Sequence, residues 1–195
     1  MNCLIVRAHP LEENLTRRFS DFASGRLEAT GHKVSLIDLY AEDFDPRLTA
    51  AERASYSADK YDRPGMERHI DALRAAETLV LAFPTWWFGP PAILKGWLDR
   101  VMAPGVAFDH GRDFGPIEPK LLGLRHVVTI TTLGSPWWVD RLVLRRPVRR
   151  VLKTAVFGGC APNARFTYLP FYRAETATAD RIARFETRIA RTIGG

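Results

Sequence analysis

Five consecutive residues, Leu79-Val80-Leu81-Ala82-Phe83, are apolar without interruption, and Pro84 ends the run. A strand with one wet face alternates apolar and polar side chains, so an unbroken run of this length reads as a strand buried on both faces. Such strands occur in parallel sheets covered by helices on each side. The stretch Asn2 to Arg7 has the same continuous character. Leu15, Phe19, Phe22, Ala23 and Leu27 then recur at helical spacing until Gly31 supplies a stop, and Val34, Leu36 and Ile37 mark a second strand. Met66, Ile70, Leu73 and Ala76 form a short amphipathic pattern, and Ile93, Leu94, Trp97, Leu98 and Val101 form another after Gly89-Pro90-Pro91. Val127 to Thr131 and Arg165 to Leu169 read as the last strands, and Ile182, Phe185, Ile189 and Ile193 stripe a final helix. Asp45 to about Arg68 is polar and reads as loop with one or two short helices.

Strands alternating with helices along the whole chain predict an α/β doubly wound sheet of five parallel strands with helices on both faces. At 195 residues the chain fits one domain, 1–195. Its 46% hydrophobic and 26% charged residues are ordinary for a globular protein. No apolar stretch approaches the roughly 20 residues that span a bilayer, and Arg7 interrupts the N-terminal run before it resembles a secretory core, so the cytoplasm is the expected compartment. Cys3 and Cys160 lie in no Cys-x-x-Cys pair or Cys/His cluster; they are expected to be buried, and no metal site is expected.

The formal net charge is +6, and much of the excess lies between Trp137 and Lys153, where Arg141, Arg145, Arg146, Arg149, Arg150 and Lys153 face only Asp140. Such a stretch raises the question of nucleic acid. Leu142, Val143, Leu144, Pro147, Val148, Val151 and Leu152 interrupt it, however, and predict a helix with one packed face and one solvated basic face. No nucleic-acid partner is therefore expected.

In doubly wound sheets ligands bind beyond the carboxyl ends of the strands, where the strand order reverses. The loop after the first strand contains His9, Asn14 and Thr16 and leads into a helix N-terminus, where free N–H groups and a partial positive charge suit a phosphate; helix capping by Asn14 or Thr16 is the alternative. After the third strand come Pro84, Thr85, Trp86, Trp87 and Phe88, and three consecutive rings cannot all point into one core. After the fourth come Thr131, Thr132, Leu133 and Gly134, then Trp137 and Trp138. Neither G-x-G-x-x-G nor a P-loop motif is present. Three polar and aromatic loops at one edge suit a planar ring system with a phosphate tail, which is the shape of a flavin.

The segment from Phe83 to Val101, with Ala8-His9-Pro10 and Ile130-Thr131-Thr132-Leu133-Gly134-Ser135, resembles the flavodoxin-like NAD(P)H:quinone oxidoreductase family over most of residues 2–170. The resemblance implies non-covalent FAD, or alternatively FMN, a homodimer, and hydride transfer from NAD(P)H to a quinone or similar small acceptor. It places His9, Leu15 and Thr16 at the phosphate and ribityl portion. Pro84, Thr85, Trp86, Trp87 and Phe88 match the loop against the isoalloxazine, and Thr131, Thr132, Leu133 and Gly134 the loop on its other side. Trp137 and Trp138 become candidates for the nicotinamide or acceptor pocket. Leu133 stands where the family commonly has the first glycine of Thr-Thr-Gly-Gly, and the Tyr and His of the animal-type charge relay are missing between Trp137 and Arg146. Some relatives instead serve as regulatory subunits of glutathione-gated potassium efflux systems, which is the alternative role.

Overall fold

The computed structural model describes residues 1–56, 63–111 and 115–194. Part of the polar stretch expected between Asp45 and Arg68 lies outside them. Five parallel strands, β1 (Asn2–Arg7), β2 (Lys33–Asp38), β3 (Thr78–Pro84), β6 (His126–Leu133) and β7 (Arg165–Tyr172), form one sheet in the order β2-β1-β3-β6-β7. The order reverses between β1 and β3, so the crevice of a doubly wound sheet falls beyond their carboxyl ends. A separate antiparallel pair, β4 (Phe108–Asp109) and β5 (Glu118–Pro119), was not legible in the sequence, because two residues carry no periodicity.

Helices α1 (Leu15–Ala29) and α7 (Ala179–Ile193) share one face of the sheet. Phe19 of α1 stands 4.6 Å from Phe185 of α7 and 5.2 Å from Phe171 of β7, ring centroid to centroid. These tilted contacts lock the two helices to the edge of the sheet, and removing one such ring costs about 3–5 kcal/mol. The opposite face carries α3 (Glu67–Ala75), α4 (Ala92–Val101) and residues 147–160. There the fully buried Trp97 donates its indole N–H to His69 Nδ1 at 3.1 Å, satisfying its one polar atom.

The crossover after β2 is pinned to α4. Its short helix α2 (Ala50–Ser55) begins with a capping box in which Thr49 and Glu52 satisfy each other's backbone N–H groups. Glu52 also accepts two bonds from the buried Arg100 guanidinium at 2.8 and 2.9 Å, and Arg100 donates to the Asp45 carbonyl at 2.7 Å. Burial alone would raise the Glu52 carboxyl pKa, but the Thr49 N–H and Arg100 outweigh it and hold the pKa below the usual range. At Gly96 a Cβ would stand 2.2 Å from the Pro46 carbonyl oxygen, so α4 and the crossover meet backbone to backbone.

The basic stretch is not one regular helix. Two π-helical segments, Val139–Val143 and Val151–Val156, flank α5 (Pro147–Arg150), and α6 (Phe157–Cys160) follows. Arg145 and Arg146 break the path with φ of 57° and 53°. Val148 and Leu152 are buried as expected, but Leu142, Val143, Leu144 and Val151 are exposed. The expected packed face therefore exists only in part, because the left-handed pair turns the first segment away from the sheet. Among the described residues no helix is long and apolar enough to cross a membrane. Cys3 and Cys160 are free, buried thiols, and burial pushes the Cys160 pKa up to about 11.

Candidate functional site

Three loops meet beyond the carboxyl ends of β1, β3 and β6, and their backbones are joined. Ala8 N–H donates to the Ala82 carbonyl at 3.0 Å, and Thr85 N–H donates to the Thr132 carbonyl at 2.8 Å. The Thr85 and Thr131 hydroxyls share a hydrogen bond of 2.7 Å. Thr131 and Thr132 are buried and Pro84 ends β3, so these residues build the floor on which the exposed groups stand.

The head of α1 forms the first wall. Asn14 caps the helix by accepting the Arg17 N–H at 2.8 Å, which settles the capping question left open by the sequence. Thr16 therefore does not cap; its hydroxyl is buried without a partner in the first turn, and no acidic residue offsets the helix dipole there. Leu15 packs its side chain against the α1–α7 core and leaves its backbone at the helix head. His9 accepts the Leu11 N–H on Nδ1 at 3.1 Å, and partial burial lowers its pKa. A neutral ring bonded in this way carries its proton on Nε2, available as a donor. His9 and Trp86 lie 6.4 Å apart, ring to ring, which brings the first two loops together.

Arg7, which the sequence offered only as the end of an apolar run, anchors this wall. Its buried guanidinium reaches Asp38 at 2.8 and 2.9 Å, Asp21 at 2.6 Å and Ser20 at 3.1 Å. It thus ties β1 to α1 and to the end of β2. The partners are 13, 14 and 31 positions away, and no local pattern announces them.

The second wall is a tight turn. Trp86 N–H and Gly89 C=O, and Gly89 N–H and Trp86 C=O, are mutually bonded at 3.1 and 2.9 Å. Trp87 and Phe88 between them have φ of 48° and 55°. A two-residue turn with both centres left-handed is the type I′ geometry that Asn-Gly ordinarily supplies. Placing two aromatic residues there costs about 1–2 kcal/mol each. Trp87 is fully exposed and Trp86 is 44% exposed, so the expectation that three consecutive rings cannot share a core holds. Phe88 turns the other way, onto a cavity of about 590 Å³ that also touches Tyr56, Leu98, Met102, Ile117 and Val151.

The third loop leaves the sheet at Leu133, the end of β6. A Cβ at Gly134 would stand 2.6 Å from the Glu175 carboxylate, so the small residue makes room for that side chain. Leu133 is buried, and Ser135, on the other side of Gly134, holds a buried hydroxyl with no partner. Trp137 and Trp138 are exposed; Trp137 borders a smaller cavity with Tyr172, Arg173, Thr176 and Arg181, and neither ring lines the 590 Å³ cavity. Beside them Asp140 is buried and accepts the Tyr172 hydroxyl at 2.7 Å, while its other oxygen and the Arg146 Nε have no partners.

A parallel sheet with this strand order and joined loops at its switch point defines a flavodoxin-like protein. The chain belongs to that family: the family described as flavodoxin-like fold matches residues 1–192. It is 34% identical over 108 residues to YcaK of Escherichia coli K12, described as an uncharacterized NAD(P)H oxidoreductase; the match covers 55% of each chain. It is 33% identical over 150 residues to NAD(P)H dehydrogenase (quinone) 1 of Cavia porcellus, covering 68% of this chain and 53% of that one. These matches thus span about half the length of either relative. The crystal structure of Smu.1420 from Streptococcus mutans UA159 superposes with a TM-score of 0.84 at 29% identity, covering 99% of this chain and 98% of that one.

Proposed function

We propose that the protein is a flavin-dependent NAD(P)H oxidoreductase that passes a hydride from NAD(P)H, by way of FAD, to a quinone or similar small electrophilic acceptor. One observation carries the reading: an unpartnered buried hydroxyl at the head of α1 and a strained turn of exposed rings sit on adjoining loops at the switch point. That is the donor and stacking set required by a planar heteroaromatic group with a phosphate tail. The names of the relatives point the same way.

Bound flavin supplies the hydride acceptance and donation that no side chain of this site offers. The chain's residues bind and orient. His9 Nε2–H, the Thr16 hydroxyl and the backbone at Leu15 would hold the phosphate end against the positive end of α1. Trp86 and Trp87 would flank the ring system, with Phe88 behind them on the cavity wall and Thr85, Thr131 and Thr132 fixing that turn to the sheet. The loop from Leu133 to Ser135 would close the other side, and Trp137 and Trp138 would cover an entering nicotinamide or acceptor. The cavity beside Phe88 adds apolar room for an acceptor. In this reading one domain, 1–195, acts as a homodimer in the cytoplasm.

The test is the visible absorbance of the purified protein, identification of any flavin released by heat, and NADH and NADPH oxidation with benzoquinone. A yellow protein that releases FAD and turns over is the expected result. Release of FMN keeps the reaction and changes the cofactor. A colourless protein that neither flavin reconstitutes overturns the proposal.

A further inference from the structure

Five consecutive residues, Arg141 to Arg145, are exposed, and the three in the middle are Leu142, Val143 and Leu144. Leu142 and Val143 are each 61% exposed, and Trp137 and Trp138 stand open beside them. Single exposed apolar residues need no explanation, but a contiguous apolar tip bordered by indoles marks a surface that meets something. The projection is built rather than frayed. The Leu144 N–H closes onto the Val139 carbonyl at 3.0 Å, the Arg146 N–H closes onto the Asp140 carbonyl at 2.7 Å, and the left-handed Arg145–Arg146 pair turns the chain back.

Charge narrows the choice of partner. Between Trp137 and Cys160 the only acidic side chain is Asp140, which is buried and bonded to Tyr172. Arg141, Arg145, Arg150 and Lys153 are exposed, with Arg146 and Arg149 half-buried behind them. Two copies meeting through this patch would press like charges together, which opposes self-association. An apolar tip with indoles at its border and arginines around it matches the layering of a bilayer surface: hydrocarbon, interface and anionic headgroups. We propose that residues 137–153 dock the protein on anionic lipid bilayers, with Leu142, Val143 and Leu144 entering the interface and the surrounding arginines contacting lipid phosphates. The segment follows the third crevice loop directly, so docking would hold that side of the crevice towards the bilayer. The inference goes beyond the oxidoreductase reading and does not depend on it.

The test is flotation of the purified protein with vesicles of phosphatidylcholine alone and with phosphatidylglycerol added, at low and high salt. Binding to the phosphatidylglycerol vesicles, weakened by salt, is expected. Each exposed cation removed should weaken it roughly fivefold, so Arg141→Glu should lose at least about that much. Leu142→Asp with Val143→Asp should lose about tenfold or more, while circular dichroism and thermal melting stay unchanged because each side chain is already 61% exposed. Binding to neither vesicle, equal binding to both, or full binding by the double variant overturns the proposal. So does sedimentation showing that the double variant dissociates a larger assembly, which would make the patch a contact between copies.

Discussion

The two ends of the sheet are built differently. At the amino end the strands are tied off with ordinary hydrogen bonds: Glu77 N–H to Asn2 C=O at 2.8 Å, Arg125 N–H to Glu77 C=O at 2.8 Å, and Arg165 N–H to Arg125 C=O at 2.9 Å. The turn into β2 there uses Gly31, with φ of 78°. At the carboxyl end, every described non-glycine residue with positive φ follows a strand: Asp43 after β2, Trp87 and Phe88 after β3, Arg145 and Arg146 after β6, and Arg173 after β7. Unpartnered buried groups of Thr16, Ser135, Asp140 and Arg146 lie at the same end. One end is optimised for stability, while the other stores strain and unmet hydrogen-bonding capacity where a ligand could use them.

The comparison breaks most easily at Arg7, the well-paired exception at the carboxyl end. Arg7→Met should cost up to about 3–5 kcal/mol in urea denaturation, because it leaves the nearly buried Asp38 with only the longer ion pair to Arg17 at 3.4 Å. A negligible loss would mean that this end is loose throughout. Tyr172→Phe comes next: it takes the hydrogen bond from buried Asp140 and should cost about 1–3 kcal/mol. Trp87→Gly tests the strain directly and should raise stability by about 1–2 kcal/mol while weakening flavin retention. A simultaneous loss of stability would show that the turn is not strained.

The smallest effect belongs to the amino end. Burial and the neighbouring Arg165 hold the His126 pKa down to about 4, and the ring bonds the Thr167 hydroxyl at 2.9 Å. A histidine with a depressed folded pKa contributes stability that is complete above its unfolded value near 6.5 and is lost as pH falls towards the folded value. Between pH 6.5 and about 4, His126→Gln should flatten the acid loss of stability by about 1 kcal/mol after allowance for screening.

The strands and the core faces were legible because periodicity encodes burial, and each of the five major strands lies where its apolar run predicts. The aromatic loop was legible as exposed because three adjacent rings cannot be buried together. The type I′ turn was hidden, since Trp and Phe do not advertise left-handed backbone as Asn-Gly would. Arg7 and the Asp140–Tyr172 pair were hidden because their partners are distant in sequence. The exposure of Leu142 to Leu144 ran against the helical pattern, in a segment that is π-helical and ends at the left-handed Arg145 and Arg146.

The seam at Gly96 has a mechanical consequence. With no space for even a methyl group against Pro46, and with Arg100 gripping both Glu52 and the Asp45 carbonyl, α4 and the crossover move as one piece. Leu48 and Tyr56 on the crossover and Leu98 and Asp99 on α4 therefore act as a fixed jaw of the 590 Å³ cavity. Pro147 to Val156, which contains a π-helical segment, completes the lining. One wall of the cavity is thus set by backbone contact before anything enters it.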